Sequence, residues 1–269
     1  MPENWVAGRT VRMAAANWAE ICVLAKAEIS SNENEAFSSD RSNPELFIIK
    51  AKRLYYEERF DDAAAEVRKA IEMNGKQAHF HVELARVLLR KEGGEAMAED
   101  ALKKAVALVP NSPKLLALLG QAQYRGKKVD DAKMTLEKAT EDPKTRNPDA
   151  RLLLGRIFRD DKKDFDRAVA NFDQASKEYF SDQTLAATAL DELGVTYELK
   201  RDSEKARTAF ERALTSDKDY TPPYCHYAKF LSRSGEGKDK EKAKALAAES
   251  LKQEPSGPCA ADMKALTSG

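Results

Sequence analysis

Along most of the chain apolar residues recur at three- and four-residue spacing in short stretches separated by polar breaks, which predicts helix after helix and no strand. Leu190 to Asp217 shows the unit most plainly. Leu190, Leu193, Gly194 and Tyr197 fall on one helical face, Lys200 to Ser203 interrupts, and Ala206, Phe210, Ala213 and Leu214 form a second stripe. Two helices joined by so short a break lie antiparallel. Gly194 and Ala206 predict a close crossing, because a residue with little or no side chain on each helix lets two backbones approach. A Leu at either place would hold the helices apart.

The pattern repeats. The small residue of the first helix recurs as Ala51, Ala85, Gly120, Gly155, Gly194 and Ala228, at intervals of 34, 35, 35, 39 and 34 residues. That of the second helix recurs as Ala63, Ala98, Ala132, Ala168, Ala206 and Ala243, and a third series follows seven residues on as Ala70, Ala105, Ala139, Ala175, Ala213 and Ser250. Three series in step define six repeats. The spacing Leu193-Gly194, two residues, Tyr197, then Ala206, three residues, Phe210, resembles the tetratricopeptide repeat (TPR) family. The resemblance covers about 210 of the 269 residues and implies an all-α fold, a right-handed superhelical solenoid of antiparallel helix pairs.

This frame divides the chain into an N-terminal cap and polar linker over 1–43, a six-repeat array over 44–255 and a short C-terminal cap or truncated end over 256–269. Residues 5–29 predict one helix, with Val11, Ala15, Trp18, Cys22 and Ala25 on a face, and Ser30 to Asn43 a linker. The widest interval falls at an enlarged connection near Tyr179 to Thr184, which predicts a longer helix there and a local change of superhelical pitch. The glycine-rich stretch Ser234 to Asp239 predicts a mobile loop.

Composition narrows the function. Charged residues make up 33% and aromatic ones 7%, which suits exposed helices packed through Leu and Ala, and a formal net charge of zero argues against a general attraction to nucleic acid. Charges interrupt the N-terminal apolar stretch, so neither a signal peptide nor membrane insertion is expected. Cys22, Cys225 and Cys259 are odd in number and form no CxxC, which suggests neither a disulfide framework nor a zinc site and points to a reducing, cytoplasmic setting. No nucleotide-binding, metalloprotease or nucleophile-elbow motif is present, so no catalytic residue, cofactor or metal is expected. His79 and His81 point apart on a helix, and the adjacent Cys225 and His226 do not face each other.

In the TPR family the first helices line the concave side, so the residues beside each small position are the candidate contacts. The residue just after the small one runs Lys52, Arg86, Gln121, Arg156, Val195 and Lys229, and one turn further come Tyr55, Arg90, Tyr124, Arg125 and Arg159. Repeats one to four thus offer Arg and Lys interleaved with Tyr, whereas Asp191 and Glu198 turn the fifth acidic. Guanidinium groups suit carboxylates and tyrosine adds apolar area, which predicts a non-catalytic scaffold or adaptor binding another protein through an acidic peptide or the acidic face of a folded partner. Self-assembly into a homo-oligomer is an alternative. So, by the resemblance, is docking of a regulatory protein such as a small GTPase; RNA binding is a weaker one. The two-carboxylate clamp of TPR co-chaperones needs Asn in a row that here reads Ile49, Glu83, Leu118, Leu153, Glu192 and His226, so that subtype is not expected.

Overall fold

A computed structural model describes residues 42–233 and 237–268. The expected helix over 5–29, the linker as far as residue 41 and the centre of the glycine-rich loop, residues 234–236, lie outside the described residues. The described chain is helical, without a strand, and its helices pair in the expected order: α1 (Glu45–Tyr56) with α2 (Phe60–Met73), α3 (Ala78–Leu88) with α4 (Glu95–Leu108), and α5 (Pro113–Arg125) with α6 (Val129–Ala139). There follow α7 (Pro148–Arg156) with α8 (Phe165–Glu178), α9 (Gln183–Leu199) with α10 (Ser203–Ser216), and α11 (Pro222–Ser232) with α12 (Gly237–Gln253), which then carries α13 (Ala260–Ser268). They group into two compact units that meet in the sequence at Asp142 and Pro143, and each is described by itself.

All three small-residue series are buried. The crossing they form differs in one respect from the sequence expectation. A Cβ added to Gly194 would lie 2.6 Å from Cε1 of Phe210, one added to Gly155 2.5 Å from Cε1 of Phe172, and one added to Gly120 2.5 Å from Cγ of Leu136. The bare glycine therefore seats the bulky side chain one turn beyond the second helix's alanine, rather than bringing two small residues together. Where the first helix carries Ala, the partner is aliphatic and no aromatic ring is seated: Val67 shares a cluster with Ala51, Leu102 with Ala85, and Ala247 with Ala228.

The turns inside the pairs follow one plan. Glu58, Lys127 and Arg201 take φ near 61°, and the next residue's N–H (Arg59, Lys128, Asp202) reaches back to the carbonyls of Leu54, Gln123 and Tyr197 at 2.9 Å. This is the Schellman ending of a helix, here with a side chain in the left-handed position at a cost of roughly 1–2 kcal/mol each. Asp164 and Asp202 then cap α8 and α10 by accepting from the N–H groups of Arg167 and Lys205.

Two repeats hold one residue more between their small positions, and each absorbs it differently. Repeat two places it in the turn at Gly93, whose φ is 72°. Repeat four places it inside the first helix, where Ile157–Asp161 winds as a single π-helical turn continuing α7. The wide interval before repeat five corresponds to the 17 residues of α9.

One buried polar pair joins α9 to α11. Asp191 is 4% exposed, and its Oδ2 lies 2.7 Å from Nδ1 of the half-buried His226. Burial pushes the Asp191 carboxyl above its ordinary 3.8, with the bond from His226 and the charge of Arg159 opposing and Glu192 assisting. Burial also pulls on His226, downward, but the bond and charge of Asp191 outweigh it and Lys229, so the imidazole sits above its ordinary 6.5. Both groups bind a proton more tightly in the folded chain than in the unfolded one.

Two outcomes are expected. Gly194→Ala overpacks the Phe210 seat and lowers thermal stability by about 1–3 kcal/mol; adding Phe210→Leu, the pairing repeat two uses, recovers part of the loss in calorimetry. The His226 contribution is complete below its ordinary 6.5 and is lost as pH rises through its higher folded value, and that of Asp191 declines likewise from 3.8 upward. The melting temperature of the wild type therefore falls more steeply with rising pH, from about 6 to 9, than that of Asp191→Asn, His226→Gln; equal slopes would contradict the assignment.

Candidate partner-binding surface

In the unit ending at Asp142 the first helices carry the predicted residues on their open side. Ala51, Ala85 and Gly120 are buried against the second helices, and Lys52 is exposed while Arg86 and Gln121 are half-buried. Tyr55 is the centre of this surface. Its ring meets Phe60 edge-on at 5.6 Å, and the guanidinium carbons of Arg86 and Arg90 lie over it at 4.7 and 5.8 Å. Arg90 also covers Phe60 at 5.5 Å. Aromatic faces attract a cation without neutralising it, so they hold Arg90 in place and leave its N–H groups unspent.

The other cations of this surface are partly engaged. Arg86 donates through Nε and Nη2 to Glu83 Oε2 at 3.0 and 2.6 Å. Arg125 donates through Nη2 to the backbone oxygen of Leu89 at 2.7 Å, and Tyr124, half-buried beside it, also has a partner. Among the described residues no acceptor stands within reach of Lys52 or Arg90.

In the unit from Pro143 onward the predicted arginines meet an internal carboxylate. Arg156 donates to Glu192 Oε1 at 2.5 Å, and Arg159 donates through Nη1 to Glu192 Oε2 and through Nε and Nη2 to Asp160 at 2.7 and 2.9 Å. Arg159 projects from the π-helical turn, and its guanidinium carbon lies 5.5 Å from the Phe172 ring centre. Burial disfavours its charge, but the Asp160 and Glu192 carboxylates outweigh that and push its pKa up. Glu192 thus occupies both groups that the sequence assigns to a ligand.

For the arginines the contrast can be traced to one row. Glu192 stands two residues before Gly194 and reaches back to the residues one and four after Gly155. The matching position two residues before Gly120 is Leu118, which has no carboxylate to offer Arg86 or Arg90. His226, two residues before Ala228, instead takes Asp191. Sequence reasoning read this row only for the asparagine of a clamp, and Glu192 could have been found in it by asking which arginines lie one repeat earlier.

The cysteines need a correction. Cys225 and Cys259 are joined by a disulfide with their Cα atoms 6.2 Å apart, where the sequence suggested no disulfide. Their separation of 34 residues is one repeat length, and that interval brings residues onto neighbouring helices. Among the described residues no group of His, Cys, Asp and Glu is placed to hold a metal ion, and no helix is long and apolar enough to cross a membrane.

The tetratricopeptide repeat model matches residues 50–113 and 161–221. No curated protein matches the chain by sequence. Similar solved structures include the APC/C hetero-tetramer Cut9–Hcn1, with TM-score 0.68, 16% identity, and coverage of 88% of this chain but only 45% of that one. Pseudomonas aeruginosa pilF has TM-score 0.66 and 16% identity, with coverage of 83% of this chain and 97% of that one. YrrB, described as a TPR protein with an unusual peptide-binding site, has TM-score 0.53 and 22% identity over 71% of this chain and 95% of its own. At these identities the likeness is one of fold. With the repeat frame, the buried small-residue series and the antiparallel pairs all in agreement, the chain belongs to the tetratricopeptide-repeat family.

Proposed function

We propose that the first-helix face of repeats one to three binds an acidic, extended segment of a partner protein, and that the chain acts by this binding and not by catalysis. The fold is that of a protein-interaction scaffold. What carries the finer reading is that, among the described residues, neither Lys52 nor Arg90 has a carboxylate partner at this face, and Arg90 is held over the Tyr55 and Phe60 rings. A ligand carboxylate completes them, with the partly engaged Arg86 and Arg125 beside it and Tyr55 and Tyr124 giving apolar contact with a polar edge. Gln121 adds an amide able to donate to a ligand backbone.

Arg156 and Arg159 drop out of this reading, because a ligand carboxylate there must displace Glu192. The peptide-binding site described for YrrB supports a peptide as the form of the ligand. The cytoplasmic setting expected from the sequence rested on unpaired cysteines, and the Cys225–Cys259 bond withdraws that support in favour of an oxidising compartment.

Titration of fluorescent Asp- and Glu-rich peptides against the full chain tests the surface. Arg90→Glu and Lys52→Glu each weaken binding at least tenfold, and affinity for the wild type falls with added salt, as expected of exposed charges. Arg156→Glu leaves affinity unchanged. Arg86→Glu is less informative, since it sets two carboxylates three residues apart on α3. Equal affinity of wild type and Arg90→Glu would remove the surface from consideration.

A further inference from the structure

The helix α13 is short and is tied covalently to the repeat beneath it. At nine residues, α13 is below the roughly 12–15 at which an isolated helix persists in water. Met263 is fully buried against Cys225, Ala228 and Ala247 of α11 and α12, Ala260 is nearly so, and Leu266 is half-buried at the rim. Leu246 and Leu251 of α12 pack at the edge of this contact, and Met263 is the one large side chain of α13 fully buried in it. Across the same seam Lys229 Nζ pairs with Asp262 Oδ2 at 2.5 Å, an exposed contact that water competes for.

The segment leading into α13 gives little further hold. Glu254 to Cys259 contains Pro255, Gly257 and Pro258, and its backbone bonds are local, from the Gly257 N–H to the Glu254 carbonyl at 3.2 Å and from the Ala260 N–H to the Gly257 carbonyl at 3.0 Å. Cys259 stands at the start of α13, and its disulfide to Cys225 of α11 is the covalent tie across the seam.

We propose that the Cys225–Cys259 disulfide is a redox latch for α13: closed, it keeps the helix over α11 and α12, and opened by a dithiol reductant it lets the helix leave while the repeats beneath stay folded. Cys225 is 1% exposed and Cys259 half-buried, so the attacking thiolate of a dithiol reaches Cys259 Sγ. The S–S bond breaks, Cys225 leaves as a thiolate and takes up a proton, and a mixed disulfide forms on Cys259. The second thiol of the reductant then attacks its own sulfur in that mixed disulfide, closing a cyclic disulfide and releasing Cys259. Two electrons and two protons have passed from the dithiol to the two cysteines. Lys229 Nζ lies 3.9 Å from Cys259 Sγ, where its charge favours departure of the Cys259 thiolate.

Hydrogen–deuterium exchange on the full chain, oxidised and in dithiothreitol, tests the latch, with Cys259→Ser as a second route to the open state. Amides of α13 exchange at least tenfold faster in the reduced wild type and in Cys259→Ser than in the oxidised protein, while α9 and α10 keep their rates. Cys259→Ser leaves the buried Cys225 in place, so release in this variant does not trace to a core defect. Retained protection of α13 after reduction overturns the proposal. Loss of protection in α11 and α12 together with α13 overturns it too, since the bond would then be a staple of the whole repeat. Free Cys225 and Cys259 thiols in the protein purified without reductant would also end it.

Discussion

In repeats three to five one bulky side chain of the second helix lies on a bare glycine of the first and limits how the pair can approach. Phe210 fills the place a Gly194 side chain would take, and Phe172 and Leu136 do the same over Gly155 and Gly120. Where the first helix keeps a methyl group, the opposing residue is aliphatic and never a ring, as in Ala85 with Leu102 and Ala51 with Val67. Close-packed interiors tolerate exchanges that conserve volume far better than those that change it. A glycine on the first helix thus makes room for the larger side chain on the second.

This packing brings residues about one repeat apart into reach, and the polar contacts show it. His226 meets Asp191 at a separation of 35, Arg125 reaches the Leu89 carbonyl at 36, Thr184 donates to Asp217 at 33, and Arg207 grips Asp239 at 32. Such contacts do the work of a sheet's ladder, tying each unit to its neighbour only. They also decide which surface charges are spent. Glu192, two before its small position, takes the arginines of the preceding repeat, whereas Glu83 in the same row takes Arg86 of its own repeat and leaves Lys52 of the preceding one.

The features visible in the sequence were those fixed by local spacing. Apolar period, polar breaks and small residues at set intervals follow from helix geometry, so the pairing order and the buried series could be read directly. The role of Gly194 could be read only in part: a missing side chain marks a close approach, but what approaches is set by the rotamer of Phe210. The π-helical turn was hidden because one extra residue in repeat four looks the same in sequence whether a turn or a helix absorbs it. Glu192 and the disulfide were missed for a shared reason. Each depends on a residue one repeat away, and charge along one helix or the parity of a cysteine count contains no such distance. On the candidate surface, residue types could be assigned from sequence, but their free or engaged state could not, since engagement lies with a neighbouring repeat.

The neighbour-only character of the array also bears on the disulfide between α11 and α13. Repeat six rests on repeat five through large rings, with Phe210 against Tyr227 at 5.5 Å and against Phe230 at 5.8 Å. Between its own helices it sets Ala228 with Ala247, where repeat five sets Gly194 with Phe210. Tyr227, Phe230 and Leu231 of α11 pack with Ala243 and Leu246 of α12, and α13 adds Met263 beside Ala228 and Ala247. A cross-link acts mainly by restricting the unfolded chain and typically contributes about 2–4 kcal/mol whatever the local packing. Here the cross-link joins Cys225 of α11 to Cys259 at the start of a nine-residue helix whose one large fully buried side chain is Met263.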